Sequence, residues 1–322
     1  MKKQLMKFGI LILIIVIATV GCKKKNEDDL TTPSNNPIDN VGDVADKADN
    51  PDKIMKDFEN QLKTKDLNNV IDFINNNIGK LTSIEGDKMI LELESLLESS
   101  LESFRNEILN LTEDQFNELM ELKGDELFFP KSKVEDISNE ELGELINNIF
   151  NSNYKLINIE GMFEPIIDYE ALKKYNKNIS DEIKDYIKIK ANNSNEPMAI
   201  DGGLRISYDD LGERILEVEE YVKKYYEGHR YEEVLGLYRT WLGLYLNGLP
   251  NTPIKDYENS IIRKEVYESY KKTAKTKDSI TAFVVDKYID IIDENKGKID
   301  DRVKGEVLSL VNEALSLLEA SK

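Results

Sequence analysis

The chain has 322 residues, with 43 Lys and Arg against 62 Asp and Glu, a formal charge of −19, one cysteine and one histidine. That surplus of acid excludes a nucleic-acid binder, whose affinity rests on lysine and arginine neutralising phosphates. One cysteine excludes an internal disulfide and a cysteine-based zinc site, and one histidine, His229, excludes a multi-histidine metal cage and leaves a Ser-His-Asp triad only that residue to be built on.

Lys2, Lys3 and Lys7 lead into Phe8 to Val20, a run holding one Gly and one Thr among apolar side chains. As a helix it covers roughly 20 Å, short of the ~30 Å hydrocarbon core, so it fits a secretory signal better than a membrane span. The run ends in "TVGC", with the sole cysteine at Cys22 followed by Lys23, Lys24 and Lys25. Over residues 1–22 this resembles the lipobox of bacterial lipoproteins. The resemblance implies a signal peptide over 1–21, a diacylglycerol on the Cys22 thiol, and cleavage that leaves Cys22 as the acylated N-terminus. Residues 1–21 carry three lysines and no acid, so cleavage takes the formal charge from −19 to −22. Two acyl chains, palmitate-like, anchor firmly at ~0.8 kcal/mol per buried CH₂. The expected location is therefore a membrane surface outside the cytoplasm, at the cell surface or in the periplasm.

Residues 22–50 contain no aromatic side chain and many small or acidic ones. That composition cannot offset ordering entropy and predicts a flexible tether reaching roughly 25 to 30 Å. From residue 51 to 322 the periodicity predicts an all-α fold. It reads as a multi-helix bundle, in one unit or in two sub-bundles divided near 193–206, with at most one short hairpin near 154–167.

Ile90, Leu93, Leu97, Leu101, Phe104 and Ile108 recur at steps of three and four, the apolar face of one long helix. Thr112 with Gln115, Ser138 with Glu141, and Ser207 with Asp210 have the spacing of capping boxes and predict helix starts. "DELFFPKSK" reads as a loop plugged by Phe128 and Phe129, and "NYKLINIEGMFEPIID" as the hairpin. "NNSNEPMAIDGG" is the expected hinge. Val303, Val307, Val311, Leu315 and Leu318 predict a closing amphipathic helix.

"YYEGHRYEEVLGLYRTWLGLYL" resembles the middle of a tetratricopeptide repeat. The resemblance implies a packed helical hairpin with Gly228 at its turn, and a lone unit cannot form an array. Tyr231, Val234, Tyr238, Trp241 and Tyr245 recur at helical spacing, which predicts a core helix. Tyr231, Tyr238, Trp241 and Tyr245 are also the candidate ligand-binding face, because Tyr and Trp join an apolar ring to a polar edge. His229 with Glu232 or Glu233 resembles the "HxxE" motif of imelysin-like envelope proteins. "DENKGKIDD" places Gly297 fifth, where a calcium loop needs glycine sixth. Glu213, Glu217 and Glu220 share a helical face, as solvated carboxylates do.

No catalytic residue, metal ligand or cofactor is assigned. The leading expectation is a lipid-anchored envelope lipoprotein whose helical domain binds or scaffolds a protein partner. The alternative is a helical module capturing an envelope glycan or peptide on the aromatic face. An envelope enzyme dependent on a metal or on carboxylates is a third reading.

Overall fold

The computed structural model describes residues 50–322. The signal segment, Cys22 and all but the last residue of the tether lie outside the described residues. Among those described, twelve α-helices and a few short antiparallel strands account for the fold, as the periodicity predicts. None of the described helices is long and apolar enough to cross a membrane.

Helix α1 (Pro51–Thr64) begins where the Asn50 side chain accepts the Asp52 amide at 3.0 Å, and α2 (Leu67–Asn77) follows after a left-handed Lys65. The long helix is α3 (Ser83–Leu109), opened by a capping box of Thr82 and Glu85. Its stripe is buried as expected, with Leu101 only partly covered. Gly86 lets α3 pass under the backbone before α7 (Asp181–Asn195): a Cβ there would stand 2.0 Å from the Asn178 carbonyl oxygen.

Thr112 and Gln115 form the expected capping box of α4 (Glu113–Lys123). The next start differs by one residue. Asn139, not Ser138, caps α5 (Glu140–Asn151), accepting the Leu142 amide at 2.9 Å. Ser138 is engaged elsewhere, its amide and hydroxyl both donating to the Glu118 carboxylate.

The hairpin lies where expected, β1 (Tyr154–Ile159) against β2 (Met162–Ile167). Its two turn residues, Glu160 at φ 52° and Gly161 at φ 83°, are both left-handed, the geometry that matches strand twist. The loop over 127–129 pairs with the far side of β1, so β2 is the edge strand and accommodates Pro165. Phe129 is buried against Phe150 and Phe163, while Phe128 is partly covered.

After the short α6 (Tyr169–Leu172), α7 runs through Asn195 and takes in the first residues of the expected hinge. Two minimal ladders follow, β3 (Ala199–Ile200) with β4 (Gly203–Leu204), and β5 (Gly248–Leu249) with β6 (Thr252–Pro253). Helix α8 (Tyr208–Lys224) starts on the expected box of Ser207 and Asp210 and packs along α9 (Tyr231–Asn247). Helices α10 (Lys264–Thr273), α11 (Ile280–Glu294) and α12 (Asp301–Ala320) close the body, with the valine stripe of α12 turned inward. Gly297, at φ 77°, serves the connection from α11 to α12. Buried apolar residues on both sides of 193–206 belong to one cluster.

Candidate functional site

Helix α9 carries the aromatic candidates, and the structure turns all four inward. Tyr231 is 5% exposed, Tyr238 0%, Trp241 4% and Tyr245 0%. The Tyr238 hydroxyl shares a 2.9 Å hydrogen bond with Thr281 of α11. Tyr245 shares bonds of 2.8 and 2.9 Å with Ser269 and Thr273 of α10, and the Tyr270 hydroxyl donates to the Tyr245 carbonyl at 2.7 Å. The polar edges of Tyr238 and Tyr245 are thus satisfied by neighbouring helices, while the buried Tyr231 hydroxyl has no hydrogen-bond partner among the described residues, and the face offered as a ligand wall is core. Gly212 of α8 makes room for it, since a Cβ there would lie 2.7 Å from the Thr273 hydroxyl and 3.1 Å from that of Tyr245.

Gly228 has no left-handed backbone. Its role in the connection between α8 and α9 is space: a Cβ would meet the Glu182 carboxylate at 2.5 Å. That carboxylate accepts the Arg230 amide and the Tyr221 hydroxyl, each at 3.0 Å. His229 is exposed, as is Glu232. Glu233, the other carboxylate of the "HxxE" comparison, is taken up by Tyr186 at 2.9 Å and Lys190 at 2.7 Å.

Glu233 belongs to a cluster that sequence reading missed. At its centre is Glu94 of α3, 2% exposed. One carboxylate oxygen accepts the hydroxyls of Tyr169 (2.7 Å) and Tyr186 (2.5 Å), and the other pairs with the Arg230 guanidinium. Lys190 lies 5.0 Å from the Tyr169 ring centroid and 5.5 Å from that of Tyr186, and Arg230 stands 5.3 Å from the Tyr186 centroid. The cluster therefore draws α3, α6, α7 and α9 together at one point.

Its electrostatics follow from that crowding. Burial and the nearby Glu94 push the hydroxyls of Tyr169 and Tyr186 well above the ordinary tyrosine range. Burial works against ionised Glu233, yet Lys190 and Arg230 hold its carboxyl below the usual value. Arg230 is likewise disfavoured by burial but raised overall by Glu94 and Glu233. Glu98, one turn beyond Glu94 on α3 and exposed to solvent, is raised by the protein around its carboxyl and then by Glu94.

A signal for Glu94 was present: it falls inside the apolar stripe, between Leu93 and Leu97, where solvated acid does not belong. Glu219 is the same case on α8, between Val218 and Val222. It is 2% exposed and accepts the Ser279 hydroxyl and the Ile280 and Thr281 amides, each at 2.8 Å, at the start of α11. By contrast Glu213 and Glu220 are exposed, and Glu213 and Glu217 pair with Lys272 and Lys188.

Among the described residues, two open grooves stand out. One, of about 650 Å³, has Leu204, Ile206 and Tyr208 along it, with Asp209, Arg263, Glu265, Glu268 and Lys272 around them. The other, of about 530 Å³, runs between α7 and α8 and is lined almost wholly by charged side chains. No family model matches the chain, and neither a curated protein nor a solved structure is found similar to it.

Proposed function

We propose that the chain is a lipid-anchored lipoprotein of the cell envelope whose helical body binds or scaffolds a protein partner. The observation that carries this reading is the groove beside α8 and α10. Its floor holds half-buried Leu204 above the mostly buried Ile206 and Tyr208, and it is bordered by both signs of charge. An apolar centre within a polar rim is the anatomy of a protein–protein contact surface. The burial of the aromatic face adds support, because it takes away the surface on which a glycan would stack. The signal run and lipobox-like stretch ending at Cys22 support the anchor.

Photo-crosslinking in intact cells tests the partner. A photoreactive residue at Lys272 should give a discrete protein adduct that Glu268→Arg abolishes, while one at Asp114 on α4 should not. Equal adducts from both positions, or none from either, would remove the partner reading. The anchor is tested by the mass of the membrane form, which should show an acylated chain starting at Cys22, and by Cys22→Ser, which should release the chain from membranes.

The groove volume also falls in the range of about 300–1,000 Å³ typical of small-ligand sites, which keeps glycan or peptide capture as the second reading. A ligand at about 100 times its dissociation constant should add ~2.7 kcal/mol to stability. Thermal unfolding with a panel of wall fragments, oligosaccharides and peptides decides it, provided that any shift is lost in Arg263→Ala.

A further inference from the structure

The chain contains one Asn-Gly pair, Asn247–Gly248, where α9 ends and β5 begins. Such a pair is self-reactive, because glycine has no side chain to keep its nitrogen away from the preceding side-chain amide carbon. The fold requires this glycine. It stands at φ 75°, and a Cβ there would lie 2.8 Å from the Ile254 nitrogen and 3.1 Å from the Thr252 carbonyl oxygen. The Asn247 side chain, by contrast, is exposed and is held by no hydrogen bond among the described residues.

Two contacts restrain the reaction. The Gly248 N–H, on the nitrogen that would attack, donates to the Leu244 carbonyl in the last turn of α9. The Tyr270 hydroxyl of α10 clamps the same turn, donating to the Tyr245 carbonyl at 2.7 Å and lying 3.4 Å from that of Leu246.

We propose that Asn247 is a self-modification site gated by the last turn of α9: when the turn opens, the Gly248 nitrogen attacks Asn247 Cγ, and aspartate or isoaspartate replaces the asparagine. A bond forms between that nitrogen and Cγ, the Cγ–Nδ2 bond breaks, and ammonia leaves with the Gly248 proton. Water then opens the resulting five-membered imide. Cleavage at Cγ gives aspartate, cleavage at the backbone carbonyl gives isoaspartate, and in each case a proton of the water returns to the nitrogen.

Either product hinders reclosure of the turn. Aspartate sets a carboxylate at the negative end of α9, and isoaspartate adds a backbone carbon just before the ladder in which Gly248 faces Pro253 and Leu249 faces Thr252. Thr252 in turn accepts the Leu204 amide at 3.0 Å and the Tyr208 hydroxyl at 3.1 Å, so the change reaches the floor of the groove beside α8 and α10. The inference rests on this junction alone and is independent of the partner and anchor readings.

Peptide mapping by mass spectrometry tests it, with the full chain held in mildly alkaline buffer, native and in urea, and deamidation at Asn247 followed over time. The reaction should run about tenfold or more faster in urea, because the native rate is scaled by the fraction of time for which the turn is open. Tyr270→Phe should raise the native rate by about two- to tenfold, the worth of one hydrogen bond. It should leave Asn193, which precedes Ser194 within α7 and reports global opening, at the wild-type rate. Tyr267→Phe, on the same helix as Tyr270, should change neither rate. Deamidated chains, separated by their added negative charge, should melt below intact ones. An intact Asn247 in urea, equal rates in the native and unfolded chains, a Tyr270→Phe variant that matches the wild type or accelerates both sites alike, or a deamidated fraction melting with the intact chain would each overturn the proposal.

Discussion

A carboxylate inside a helical body is tolerated only where donors surround it, and Glu219 meets that condition with three of them at the start of α11. Glu219→Ala leaves two amides and a hydroxyl without an acceptor and should lower stability by about 3 kcal/mol. Trp241, the sole tryptophan, is buried in the same half of the protein and reports the denaturant midpoint. A loss below about 1 kcal/mol would show that the cap is dispensable. Glycines separate just as sharply. Gly86→Ala drives a Cβ into the Asn178 carbonyl and should cost about 2–3 kcal/mol. Gly305→Ala, in α12 with nothing within 4 Å, should raise stability by about 0.5–1 kcal/mol. Melting temperatures moving in the same direction for both would contradict the packing described at Gly86.

Elements were the most legible scale, because their signals are local. The boxes at Thr112 and Ser207, the stripes of α3 and α12 and the hairpin turn at Glu160–Gly161 are each written within a few residues. The start of α5 shows where locality ends. Ser138 has the spacing of a cap, but Glu118, 20 residues earlier, takes its amide and hydroxyl, and Asn139 caps instead. The cluster at Glu94 was legible by half. An acid in an apolar stripe announces a buried charge, but its partners are 75, 92 and 136 residues away, and no spacing rule reaches them. Arg230→Met should cost about 3–5 kcal/mol, because it strands the buried Glu94 carboxylate, while Glu94→Leu should cost less, because Arg230 keeps Glu233 at 3.6 Å and its side chain is 24% exposed. The double variant should cost well under the sum. Additive losses in a denaturation cycle would mean that the two residues are not coupled.

On the scale of the whole molecule, composition and periodicity conveyed the helical class, while the continuity of the interior came only from the structure. The buried residues on the two sides of 193–206 form one cluster. A fragment of residues 50–206 is thus expected to melt without a cooperative transition by circular dichroism, and a sharp transition would show that it folds as a separate unit. The Glu94 ion pair carries the same dependence into time. A ribosome, or a secretion channel, delivers the chain from its N-terminus, and Arg230 arrives 136 residues after Glu94. Until then α3 holds a carboxylate whose guanidinium does not yet exist in the emerging chain. Closure of the joint between α3 and α9 is thereby postponed until α9 begins to appear, and α10, α11 and α12 must still follow before the interior is complete.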